Sequence, residues 1–145
     1  MVGEHYKHIL MAYDGSENAD NALIKGITIA QINQADLTVV YVVDLRSTQL
    51  IAPKQAKAAD LVKEHGAEMK KKIRDMIDLK GLANYNIRIE EGNPKTVITY
   101  DLIEQIGADM VVCGSSGLDS YDQLMIGSTS ENIVRYSPID VLVVK

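Results

Sequence analysis

Five short apolar runs, separated by stretches of helical period, constrain this chain more than any other feature of it. The run from Tyr6 to Tyr13 ends at Asp14-Gly15-Ser16, a turn cluster, and reads as a buried strand entering a loop. Ala19, Ala22, Leu23, Gly26, Ile27 and Ala30 then fall on one stripe at helical spacing. Leu37 to Val43 is β-branched and apolar on both faces, the pattern of a strand inside a parallel sheet. Between Pro53 and Lys80 the residues Leu61, Val62, Met69, Ile73, Met76 and Ile77 mark a long helix, and Gly81 stands where it should stop. Asn86 to Glu91 alternates apolar and polar side chains, predicting a strand with one wet face at a sheet edge. Asn93 as cap and Pro94 at the first position start a third helix, with Val97, Ile98, Leu102 and Ile106 facing inward. Asp109 to Gly114 is another buried strand, a final helix runs from about Ser128 to Tyr136, and Ile139 to Val144 is the last strand.

Strands that alternate with helices in this way call for right-handed crossovers and a parallel sheet covered on both faces. The expected fold is therefore α/β, a doubly wound five-stranded parallel sheet with helices on each side. A length of 145 residues suits a single domain spanning 1–145. With no Trp, no Phe and aromatics at 5%, its core must come mostly from Ile, Leu, Val, Ala and Met. Ligands in such sheets lie at the carboxyl ends of the strands where the winding reverses. The loops after the first and fourth strands are best placed for that, and they hold Asp14 and the pair Gly114 and Gly117.

Glycines let backbone approach a ligand closely, and a helix N-terminus adds unpaired N–H donors and positive partial charge. Gly114 and Gly117 follow a buried strand while Gly127-Ser128 opens the last helix, so the two halves could close around a polyphosphate with the residues between as a flap. Spacing alone leaves a plainer reading open. Both glycines could simply turn the chain, with Ser128-x-x-Glu131 as a capping box. Asp14 before Gly-Ser is likewise a common turn former, and Cys113 a small buried apolar residue.

Gly114-x-x-Gly117, nine residues, then Gly127-Ser128 resembles the nucleotide motif of the ATP-binding universal stress proteins. The pieces ILMAYDGSENADNAL and GSTSENIVRYSPIDVLVVK are similar to that family in order and position, and the resemblance covers nearly the whole chain. It implies a Rossmann-like fold of the adenine nucleotide alpha hydrolase type, with ATP at the switch point. It places Ala12, Tyr13, Asp14 and Val42 on the adenine side, and Gly114, Ser116 and Gly117 against ribose and phosphate. Gly127, Ser128 and Thr129 would stand at the helix start beside the phosphate chain, with Ser130 as an addition. It also implies a homodimer in which the strand Val141-Val144 pairs with its copy. Two departures stand out: many relatives carry His or Arg where this chain has Ser116, and the flap holds Asp119 and Asp122 without a basic residue. These carboxylates either face solvent or help hold a Mg²⁺ that bridges the phosphates.

Fifteen basic against 20 acidic residues leave a formal charge of −5, no footprint for nucleic acid or an anionic membrane surface. A lone cysteine excludes an internal disulfide, and neither a secretory leader nor a bilayer-length apolar run is present, so a cytoplasmic protein is expected. His5, His8 and His65 fall away from the glycine loop, no lysine follows the glycines as in a Walker loop, and no Gly-x-Ser-x-Gly elbow occurs. The expectation is thus a nucleotide-responsive module with little or no turnover. A slow hydrolase working through Asp119 or Asp122 is the first alternative, and a relative that binds no nucleotide the second.

Overall fold

The computed structural model describes residues 5–44, 58–116 and 126–145. Within them the chain runs β1 (His8–Tyr13), α1 (Glu17–Asn33), β2 (Asp36–Val43), α2 (Ala58–Lys80) and β3 (Tyr85–Glu91). It continues through α3 (Pro94–Thr96), a π-helix (Val97–Leu102), α4 (Ile103–Ile106), β4 (Met110–Gly114), α5 (Ser128–Tyr136) and β5 (Asp140–Val144). The strands form a parallel sheet in the order β3-β2-β1-β4-β5, so the winding reverses between β1 and β4.

Apolar side chains on both faces of β1, β2 and β4 build two core layers. Ile9, Met11, Tyr13, Val39 and Val112 pack against Leu23 and Ile27 of α1 and Ile73 and Ile77 of α2. Leu10, Ala12, Val40, Val42, Val111 and Cys113 pack on the opposite face against Ile98, Leu102, Ile103 and Ile133. The expected edge position of β3 is observed, and β5 forms the other edge with Val141–Val144 only half-buried. The long helix predicted from Pro53 is seen from Ala58, and residues 53–57 lie outside the described residues. None of the described helices is long and apolar enough to cross a membrane.

The third helix departs from its expected form. Asn93 does cap it, accepting from Lys95 N at 3.0 Å, with Pro94 in the first turn. Its middle, however, widens into the π-helix, where Ile103 N–H reaches back five residues to Ile98 O. At 3.6 residues per turn, a regular helix phased on Leu102 and Ile103 would aim Lys95 at the core and swing Ile98 roughly 90° away. The extra residue held by a π turn resets that phase and brings Pro94 and Ile98 onto the inward line. Across the layer Thr99, buried, donates from Oγ1 to Asn132 Oδ1 of α5 at 3.2 Å and so holds the two helices together.

Candidate functional site

The carboxyl ends of β1, β2 and β4 meet the starts of α3 and α5 around a cleft of about 470 Å³, continuous with solvent. Its walls are Ala12, Tyr13 and Asp14 from β1 and its loop, Ala19 from α1, Val42 from β2, and Pro94 and Ile98 from the third helix. Cys113 and Gly114 close it from β4, and Thr129, Ser130 and Ile133 from α5. The position is the switch point of the doubly wound sheet, where ligands of such folds lie.

Seven of the eleven residues expected at a site therefore line one cleft: Ala12, Tyr13, Asp14, Val42, Gly114, Thr129 and Ser130. Tyr13 joins it through its main chain, because its ring packs in the other core layer with α1 and α2. There its hydroxyl donates to Asp20 at 2.5 Å, and burial first, then that bond, holds its pKa well above the usual tyrosine value. Asp14, exposed at the rim, forms the plain turn as well: Oδ1 accepts from Ser16 N at 2.9 Å and Ser16 Oγ at 2.5 Å. Gly117 and the flap carboxylates Asp119 and Asp122 lie outside the described residues.

Gly127 and Ser128 stand at the start of α5, where the capping box offered by Ser128 and Glu131 as the plainer alternative is not formed. Gly127 itself is the cap, so no side-chain bond is made to the first turn, and Glu131 instead accepts from Arg135 at 2.8 Å one turn on. The reason is a clip across the flap: Gly127 N–H donates to Ser115 O at 2.6 Å, and Ser115 N–H to Val144 O at 2.8 Å. This clip sets where the helix begins. The N–H groups of Ser128, Thr129 and Ser130 are consequently the first-turn donors that helix geometry leaves without an intrahelical acceptor.

Side chains around the clip are engaged with protein. Ser130 Oγ donates to Gly114 O, and Asn18 Nδ2 to Ser116 Oγ, tying the loop after β4 to both neighbouring helices. Ser116 is thus held beside the cleft without being one of its wall residues. Cys113, on the floor, has its thiol pushed up to about 11, by burial first and by the Asp14 charge, against an opposing hydrogen bond from Ser130. Pro94, Ile98, Ile133 and Ala19 are wall residues that sequence reasoning missed. The signal for Pro94 was available, since it begins the segment after the carboxyl end of β3, whereas Ile98 and Ile133 read only as core on their helical stripes.

The sequence profile of the universal stress protein family matches residues 5–145. A putative universal stress protein of Staphylococcus saprophyticus is 39% identical over 140 residues, covering 97% of this chain and 84% of that protein. The universal stress protein UspA from Lactobacillus plantarum superposes with a TM-score of 0.79 at 28% identity, covering 99% of this chain and all 100% of that one. A universal stress protein solved in complex with cAMP shares the fold at a TM-score of 0.76 and 23% identity, covering 98% of this chain and 99% of that one.

Proposed function

The chain belongs to the universal stress protein family, and on that premise we propose that its cleft binds ATP as a nucleotide-responsive module with little or no turnover. One observation carries the reading. A largely apolar wall of Ala12, Val42, Ile98 and Ile133 and the uncapped start of α5 converge on a single cleft at the winding reversal. A flat base needs the first, and a phosphate chain needs the second. The adenine takes the Val42 and Asp14 side, and the phosphates the Thr129 and Ser130 side, with Mg²⁺ accompanying them through their own oxygens. Gly114 and Ser116 stand between.

Occupancy of the cleft is felt at the start of α5 and at the Ser115 to Gly127 clip beside it, and a partner reads that change. The partner nearest to hand is a second copy paired through Val141–Val144, whose half-buried strand is an open sheet edge. Calorimetric titration of the purified protein with ATP and Mg²⁺ tests the reading. It should show saturable binding to one site per chain, with the nucleotide intact after prolonged incubation. Absence of heat with ATP and with adenosine alike would sink the assignment, and repeated turnover would move the protein to the hydrolase alternative.

A further inference from the structure

We propose that Thr99 and Asn132, neither of them a wall residue of the cleft, are a positioning pair that fixes the spacing between its base end and its phosphate end. This rests on the adenine-nucleotide reading above and names residues through which that site is held in shape. Two helices distant in sequence build the cleft above the sheet. Pro94 and Ile98 come from the third helix, and Thr129, Ser130 and Ile133 from α5. Ser130 Oγ donates to Gly114 O and so ties α5 to β4, while Ile98 and Leu102 bury on the same sheet face. Between the two helices themselves, among the described residues, one hydrogen bond runs: Thr99 Oγ1 to Asn132 Oδ1 at 3.2 Å, across 33 residues of chain.

Both ends of that bond adjoin the walls. Thr99 follows Ile98 in the π turn, and Asn132 precedes Ile133 in α5. The π turn serves wall and bond together, since a regular helix would swing Thr99 off Asn132 as it swings Ile98 off the cleft. Apolar packing is non-directional and lets helices slide, whereas a hydrogen bond has a preferred length and angle. Thr99 is only 5% exposed, so losing its hydroxyl leaves an acceptor facing a site that water does not freely enter. A ligand that spans both ends binds tightest when their spacing is set beforehand, because ordering them on binding subtracts from affinity. One that touches mainly the base end escapes most of that loss.

Titration of the full chain with ATP and Mg²⁺, and separately with adenosine, tests the pair. Thr99→Val keeps the outline of the side chain and removes its hydroxyl, and Asn132→Ala breaks the same bond from α5. Each should weaken ATP at least about fivefold and adenosine by less. Thr99→Ser restores the hydroxyl and should bind ATP within about twofold of the native chain. The double variant Thr99→Val/Asn132→Ala should be no weaker than the weaker single one, because both changes remove one shared interaction. An unfolded fraction lowers both apparent affinities by the same factor, so the ATP-to-adenosine ratio reads the cleft rather than the stability of the fold. Native affinity for ATP in Thr99→Val, a serine variant as weak as the valine one, equal losses for the two ligands, or additive losses in the double variant each overturn the proposal and leave the nucleotide site standing. A native chain that binds neither ligand overturns the underlying reading and this one with it.

Discussion

Gly114 is a glycine because of its neighbours in the protein. A Cβ built there would sit 2.9 Å from the carbonyl carbon of Asn18 and 3.0 Å from Ala19 N, backbone that cannot yield without moving α1. Close approach of a helix to a strand end accounts for the residue without any ligand. Gly114→Ala should accordingly cost about 1–3 kcal/mol in urea unfolding, the usual toll of overpacking, and an unchanged midpoint would contradict this packing. Cys113 next to it carries a second prediction. With its thiol pushed up to about 11, mainly by burial, it stays protonated at neutral pH, so alkylation of the folded chain should be slow and accelerate toward that pH. The unfolded thiol ionises near the ordinary value of 9.0, so this contribution to stability is whole below that pH and is lost as pH rises through the folded value. Tyr13 adds a shift of the same direction. The alkaline fall of the urea midpoint in the native chain should therefore exceed that of Cys113→Ala, and equal falls would remove Cys113 from the account.

Elements were legible where burial left one choice. A strand covered on both faces admits only apolar residues, which is why β1, β2 and β4 stand out in the sequence, and β3 announced its edge through the alternation of Asn86, Ile87, Arg88 and Ile89. The π turn was hidden, because Val97, Ile98, Leu102 and Ile106 satisfy a helical stripe about as well with the extra residue as without it. What decides between them is lateral packing, such as the Thr99 to Asn132 bond, and that is not written locally. The helix begins at Ser128 as expected, but the capping alternative there fails for a related reason. Ser-x-x-Glu is a valid capping pattern, but the clip from Gly127 to Ser115, nearly the whole flap away in sequence, moved the cap one residue earlier. The consequence is a helix start that offers its dipole to the cleft, and it can be tested by putting a competitor there. Thr129→Asp adds a negative charge to the first turn, which should stabilise the fold by about 0.3–1 kcal/mol through the dipole. The same charge should weaken a phosphate ligand at least about tenfold. Stability and affinity moving in opposite directions is the expected result of thermal unfolding and titration together; unchanged affinity would place the phosphate elsewhere.

For the molecule as a whole the unfinished feature is the edge at β5. Its ladder with β4 runs from Met110↔Asp140 to Gly114↔Val144, and Val144 O accepts from Ser115 N, so Leu142 and Val144 turn their peptide groups inward. Parallel pairing alternates, and the peptide groups of Val141 and Val143 consequently face outward from the sheet. Side chains at the same edge, Leu142 and Val144 toward α1 and Val141 and Val143 toward the π-helix side, remain half-buried in one chain. An apolar strand with outward-facing donors is a template for pairing, and a two-fold copy of itself satisfies it at this edge. Val143→Pro removes one outward N–H and no bond of the β4 ladder, so it discriminates pairing from folding. Sedimentation equilibrium should find the native chain dimeric at micromolar concentration and Val143→Pro monomeric, with the circular dichroism of the sheet preserved. A native chain that stays monomeric, or a proline variant that still dimerises, would show that β5 is not where two copies meet.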